Sequence, residues 1–127
     1  MISKVFMVLA WVARLLLAAF FCFVGYWKAL GPAAALVEHK AWVAGFPLFF
    51  ARAVGWSEIA LALLLLATAW PRLRKAAHWA APLLVVNQLV AGLVHISRRE
   101  LDALPQNAVL LALLVLVIAS QWMRRPS

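Results

Sequence analysis

The sequence has a single cysteine, Cys22, and little charge of either sign. One cysteine cannot form an intrachain disulfide, a CxxC redox centre or a thiolate metal cluster, which excludes a membrane thiol oxidoreductase built on paired cysteines. Charged residues make up only 13% of the 127 residues, whereas hydrophobic residues make up 68%. A soluble domain of this length could not cover its surface with so little charge. The bilayer is therefore the predicted solvent.

Acidic residues are the scarcest charged group, with 4 against 12 lysines and arginines, so the net charge is +8. Such an excess can indicate nucleic-acid binding, but these cations are scattered between apolar runs rather than gathered on one polar surface. The positive-inside rule accounts for them better, because it places lysine and arginine in the cytoplasmic links of membrane proteins. The sequence thus predicts a lipid bilayer as partner and no nucleic acid.

Long hydrophobic runs are what the chain has in abundance. Four of them are each close to the ~20 residues that cross a ~30 Å hydrocarbon core. We predict membrane spans at about residues 5–27, 48–70, 76–96 and 104–122. The predicted fold class is all-α, an integral membrane four-helix bundle that forms one transmembrane domain over residues 1–127.

The longest link, GPAAALVEHKAWVAGFP, predicts a short interfacial helix between spans one and two. Pro32 can open such a helix, and Gly45 with Pro47 can close it. Trp42 and the charged residues before it suit the boundary between water and lipid, where tryptophan is enriched. The other tryptophans also fall near the predicted membrane boundaries, so we interpret all of them as interfacial anchors.

The positive charges predict an orientation for the four spans. Both termini and the link between spans two and three share one side, which holds these cations and no acid: Lys4, Arg72, Arg74, Lys75, Arg124 and Arg125. The positive-inside rule places that side in the cytoplasm. We therefore predict a multi-pass protein of a bacterial-type inner membrane with both termini cytoplasmic.

Two charged residues lie deep in the apolar spans. Glu58 belongs to the stretch GWSEIALALLLLATAW, and Arg14 lies near the middle of the first span. A charge at the centre of a membrane helix costs ~2.5–3.5 kcal/mol on insertion scales, so it normally faces a partner inside the bundle. We predict that Arg14 and Glu58 form an ion pair, directly or through Asn87 or Gln88.

Helical spacing gathers further polar residues in the non-cytoplasmic half. Gln88, Gly92 and His95 share one face of the third span. A small residue beside a polar one lets a neighbouring helix or a ligand approach closely. We predict a polar pocket open towards the non-cytoplasmic half, with these ligand-binding residues: Arg14, Lys28, Glu58, Asn87, Gln88, His95 and Asn107. The alternative is purely structural, with an ion pair that only holds the helices in register.

Two segments resemble the DoxX-like family of membrane proteins. RLLLAAFFCFVGYWKAL is similar to the first span of that family, with an early arginine and then glycine and lysine three residues apart. ARAVGWSEIALALLLLATAW resembles its second span, with the Gly-x-x-Glu step from Gly55 to Glu58. The third span with its late His95, and the fourth opening at Asn107, fit the pattern more loosely, so the resemblance covers nearly the whole chain.

The resemblance implies a four-helix membrane bundle, and it suggests redox chemistry because the family is named after a small subunit linked to thiosulfate:quinone oxidoreduction. It implies no agreed catalytic set and draws attention only to Arg14, Lys28 and Glu58. A bound quinone would need an apolar slot for its ring and tail and donors for its two carbonyl oxygens. The predicted pocket supplies donors, and Glu58 or His95 could pass protons.

The leading predicted function is binding of a quinone-like or lipid-like molecule as an accessory part of a redox system. No cofactor is intrinsic to the chain, and a quinone is the one that the pocket would suit. Whether the protein is an enzyme stays open; without a catalytic motif of its own, it would serve as a subunit of a quinone-linked oxidoreductase. No metal is predicted, since His78 and His95 are about 25 Å apart along one helix and cannot ligate one iron.

Two other functions are also compatible with the sequence. A membrane chaperone or assembly subunit would use its polar groups to meet a partner membrane or redox protein. A small transporter would need an inverted repeat, which a single four-helix unit does not show and which a homo-oligomer would have to supply.

Overall fold

The computed structural model describes residues 2–123, with side chains from residue 3 onward. These residues form six α-helices: α1 (Ile2–Leu30), α2 (Ala33–Glu38), α3 (Leu48–Leu66), α4 (Arg74–Ala77), α5 (Ala80–Ser97) and α6 (Leu104–Met123). Four segments are long and apolar enough to cross a membrane: Ser3–Leu30, Leu48–Ala69, Arg74–Ser97 and Leu101–Met123. The predicted all-α four-helix membrane bundle is confirmed. Arg124 and Arg125, on which the orientation partly rests, lie outside the described residues.

The helix ends follow the breaker residues of the sequence. α1 continues to Leu30 because the first breaker after it is the Gly-Pro pair that begins at Gly31. A short 3-10 turn over Ala67–Ala69 ends the second span before Pro71. Pro82 falls in the first turn of α5, where its missing N–H breaks no intrahelical hydrogen bond.

Successive long helices run antiparallel, and side-chain contacts identify the two ends of the bundle. At one end, Arg14 of α1 donates a hydrogen bond to Ser120 in the last turns of α6. At the other, Lys40 after α2 pairs with Asp102 before α6. We call the first the terminal end, because it holds the described ends of α1 and α6, and the second the α2 end.

An apolar core packs between the long helices in the half of the bundle nearer the terminal end. Its fully buried members include Leu17 and Phe21 of α1, Leu65 of α3, Leu84 of α5 and Leu114 of α6. Large apolar side chains such as those of Leu15, Phe23, Leu93 and Val115 cover the outer surface instead. That outer surface suits hydrocarbon, so the spans imply contact with a lipid bilayer.

Two residues of the link after α2, Trp42 and Val43, turn into the bundle, whereas most of the link is exposed. Val43 is fully buried and Trp42 is 7% exposed. The Trp42 ring makes edge contacts with Phe46 and Phe50, with ring centroids 6.0 Å apart in both cases. The prediction of Trp42 as an interfacial anchor is therefore wrong, because the ring is buried against Phe46 and Phe50 and leaves little surface to face a water–lipid boundary.

α1 and α3 touch backbone to backbone at a pair of glycines. A Cβ atom placed on Gly55 would lie 2.6 Å from the carbonyl oxygen of Gly25, and one on Gly25 would lie 2.8 Å from that of Gly55. The close approach expected from small residues beside charged ones is thus present here. It is absent at Gly92, where an added Cβ would meet nothing within 4 Å.

We expect Gly55→Ala to destabilise the bundle by about 1–3 kcal/mol, because backbone atoms of α1 would have to move to make room for the methyl group. Gly92→Ala is the matched control on α5. It should be neutral or slightly stabilising, since alanine is the better helix former and nothing opposes its methyl group. Thermal unfolding of both variants in detergent checks the difference; equal melting temperatures would show that the glycine contact does not limit stability.

Candidate functional site

A buried ion pair joins α1 to α3 in the half nearer the α2 end. The Lys28 ammonium lies 2.9 Å from both carboxylate oxygens of Glu58. The Glu58 side chain is fully buried and that of Lys28 is 8% exposed. The counter-ion of Glu58 is therefore Lys28, and the predicted pair between Glu58 and Arg14 is wrong.

The direction of helical side chains explains this choice of partner. In a helix each side chain leans towards the N-terminus of its own helix. Because α1 and α3 are antiparallel, Lys28 leans towards Glu58 and Glu58 leans back towards Lys28. With Gly25 opposite Gly55, Arg14 is about 12 Å along the axis from the level of Glu58. Its side chain leans away from that level.

Arg14 belongs instead to the terminal end of the bundle. Its guanidinium donates to the Ser120 hydroxyl at 3.2 Å and lies 4.9 Å from the centroid of the Trp11 ring. A cation over an aromatic face is stabilised by the ring quadrupole, more strongly when it is shielded from water. Arg14 is thus held in place by its own neighbours, away from the other predicted ligand-binding residues.

A chain of amide side chains continues from the ion pair towards α6. Asn87 Nδ2 donates to Glu58 Oε2 at 2.8 Å, and Gln88 Nε2 donates to Asn87 Oδ1 at 3.0 Å. Asn107 Nδ2 completes the chain by donating to Gln88 Oε1 at 2.7 Å. Five of the predicted site residues are thereby joined in one network across α1, α3, α5 and α6.

A cavity of about 440 Å³ lies beside this network, between α2 and the long helices. Apolar and aromatic side chains form much of its wall: Phe20, Phe23, Val24, Trp27, Leu36, Trp42 and Leu110. Lys28, Gln88, His95 and Asn107 are the predicted ligand-binding residues that line it. Glu58 and Asn87 stand behind the lining, to which they are connected by hydrogen bonds.

Two buried polar atoms of the lining residues have no hydrogen-bond partner among residues 2–123. They are the acceptor Asn107 Oδ1 and the donor Trp42 Nε1. A third polar group, the His95 ring, contacts the Glu100 carboxylate through Nδ1 at 2.9 Å. Buried polar groups are normally paired, so these two atoms mark where the cavity lining leaves hydrogen bonds unmade among the described residues.

Two arginines that were not predicted as site residues bind backbone carbonyls beside the cavity. Arg52 donates to the carbonyl oxygens of Lys28 and Gly31, which lie at the free C-terminal end of α1. Arg98 donates to the carbonyls of Ala41 and Ala44 in the link after α2. Helix ends and links leave carbonyls unpaired, which is the one signal that could have indicated these contacts.

A surface ion pair lies at the rim of the cavity. The Lys40 ammonium is 3.0 Å from the Asp102 carboxylate, and both side chains are more than half exposed. The hydrogen bond from Lys40 to Asp102 raises the pKa of Lys40 above its ordinary value. An exposed pair of this kind contributes little to stability. Its main effect is to tie the end of α2 to the beginning of α6.

Comparison with known protein families gives a match over most of the chain. A sequence model described as the DoxX-like family matches residues 12–117. This range includes the ion pair, the amide chain and all the residues that line the cavity. Searches of curated proteins and of solved structures returned no significant match.

Proposed function

The chain belongs to the DoxX-like family, and we propose that it binds a small amphipathic molecule, quinone-like or lipid-like, as an accessory part of a redox system. The observation that carries this proposal is the cavity with its apolar wall and unpaired polar atoms. Its volume of about 440 Å³ lies within the usual range for small-molecule sites. Such a site commonly combines an apolar lining with a few polar groups that orient the ligand.

The polar groups would hold the ligand's head while the aromatic and aliphatic wall takes its ring and tail. Lys28 and His95 supply charge or a titratable ring, and Gln88 and Asn107 supply amide groups. The Lys28 ammonium also lies 5.8 Å from the Trp42 ring centroid, which keeps the cation at the cavity wall. The chain has no redox motif, so any electrons would be carried by the bound molecule or by a partner protein.

Filling the cavity tests this proposal. Ala35 lines the cavity, whereas its neighbour Ala34 is exposed and outside the lining. We expect Ala35→Trp to abolish binding by occupying the space of the ligand, and Ala34→Trp to leave binding unchanged. The measurement is mass spectrometry of lipid-soluble compounds that co-purify with each folded variant. Equal amounts of the same compound in both variants would contradict binding in this cavity.

The same proposal includes a bacterial-type inner membrane and cytoplasmic termini, in line with the cations on the side of the α3–α4 link. The orientation can be tested with two single-cysteine variants, Lys75→Cys in α4 and Glu38→Cys at the end of α2, each in a Cys22→Ala background. Both positions are exposed. An impermeant thiol reagent added to intact cells should label the cysteine at position 38 and spare the one at 75. Labelling of position 75 alone would show that the orientation is the opposite of the proposed one.

A further inference from the structure

The hydrogen-bond network beside the cavity has a direction, and the Glu58 carboxylate sets it. An ionised carboxylate only accepts hydrogen bonds, whereas an amide side chain both donates and accepts. Asn87 must therefore turn its NH₂ group towards Glu58, which leaves Asn87 Oδ1 as the acceptor for Gln88. The orientation of each amide follows from the one before it, so it does not rest on assigning oxygen and nitrogen independently.

The same logic fixes the far end of the chain at the cavity. Because Gln88 donates to Asn87, its Oε1 faces Asn107 and accepts from Asn107 Nδ2. Asn107 Oδ1 is then the last atom of the chain, an acceptor buried without a donor within residues 2–123. The Asn107 residue is 9% exposed and lines the cavity. What this atom lacks is a hydrogen-bond donor.

A donor without an acceptor lies on the same cavity. Trp42 lines the cavity, and its Nε1 is buried without an acceptor among the described residues. A hydroxyl group suits this set, because it donates a hydrogen bond and also accepts one.

We infer that the cavity selects ligands whose polar end carries hydroxyl donors, and so binds a hydroquinone or phenol in preference to a quinone. This inference rests on the proposed function and specifies its ligand. The carbonyl oxygens of a quinone could accept from Trp42, but they would leave Asn107 Oδ1 unpaired and place two acceptors against each other. Leaving a buried acceptor unpaired is the more costly alternative.

A matched set of probes tests the preference: decylhydroquinone, the corresponding decylbenzoquinone and the hydroquinone dimethyl ether. All three share the ring and tail, and only the first carries donors. We expect the wild-type protein in detergent, titrated calorimetrically without oxygen, to bind the hydroquinone at least about tenfold more tightly than either other compound. Equal binding of all three, or tighter binding of the quinone, would overturn the donor preference and leave the proposed cavity function standing.

Variants assign the preference to the amide chain. Asn107→Leu alone would free Gln88 Oε1 as a replacement acceptor, so both residues are changed to leucine. In Gln88→Leu/Asn107→Leu the preference should fall to about one, whereas Gln121→Leu, at the terminal end of α6, should keep it. A preference that survives in the double variant overturns the assignment to this chain. If none of the probes binds the wild-type protein, this inference is overturned, whereas the proposed function is decided by the comparison of Ala35→Trp with Ala34→Trp.

Discussion

Glu58→Leu should lower the free energy of unfolding by about 3–5 kcal/mol, because it leaves the Lys28 ammonium buried without its counter-ion. Lys28→Leu should cost at least as much, since the Glu58 carboxylate that it strands has no solvent-exposed surface, whereas Lys28 keeps a little. The double variant Lys28→Leu/Glu58→Leu should recover much of the loss, because packed apolar groups can replace a buried pair. Recovery should be incomplete, since Asn87 still loses the acceptor for its NH₂ group.

Unfolding in mixed micelles measures these differences as a double-mutant cycle. The matched control is the cycle between Arg14→Leu and Glu58→Leu, which should be additive because Arg14 bonds Ser120 near one end of the bundle and lies about 12 Å along the axis from the level of Glu58. A Lys28/Glu58 double variant as unstable as the sum of its singles would show that this pair is not coupled. Strong coupling in the Arg14 cycle would instead support the pairing expected from the sequence.

Trp42→Ala is expected to destabilise the protein by about 3–5 kcal/mol, as large-to-small changes of buried aromatic residues do. The variant would remove the edge contacts with Phe46 and Phe50 and the ring that lies 5.8 Å from the Lys28 ammonium at the cavity wall. The same variant should lose co-purifying ligand, because the cavity would open and its shape would change. Thermal unfolding and ligand mass spectrometry on the same preparation check both effects.

Two further tryptophan variants separate packing from hydrogen bonding. Trp56→Ala removes a ring that is 53% exposed, so it should change stability by no more than about 0.5 kcal/mol. Trp42→Phe keeps an aromatic ring but removes the unpaired N–H, so it should retain most of the stability. Similar melting temperatures for Trp42→Ala and Trp56→Ala would place Trp42 at a surface after all.

The sequence was a good guide to the polar residues and a poor guide to their partners. It identified Lys28, Glu58, Asn87, Gln88 and Asn107, all of which the structure joins in one network, because polar groups are rare enough in apolar spans to stand out. It included Arg14 for the same reason. The sequence indicated how deep each polar residue lies along its span. Depth alone suggested that Arg14 and Glu58 lie close enough to pair, whereas their side chains point in directions that keep them apart.

Trp42, Arg52 and Arg98 show a second kind of limit. A tryptophan in a link between membrane spans has the same sequence signature whether it lies at the lipid surface or folds into the bundle. An arginine near the boundary of a span likewise has the same sequence signature whether it faces water or binds backbone carbonyls. The role of each of these residues depends on a contact with another part of the chain. The local sequence around the residue does not indicate that contact.

The sequence by itself determined the four apolar spans, the short helix after Pro32 and the polar half of the bundle, since these depend on hydropathy and breaker residues read along the chain. The tertiary structure decided which charges pair, the direction of the amide chain and the existence of the cavity. The physical reason is that hydrogen bonds and ion pairs act over about 3 Å. Partners are therefore chosen by the antiparallel register at Gly25 and Gly55 and by the N-terminal lean of helical side chains.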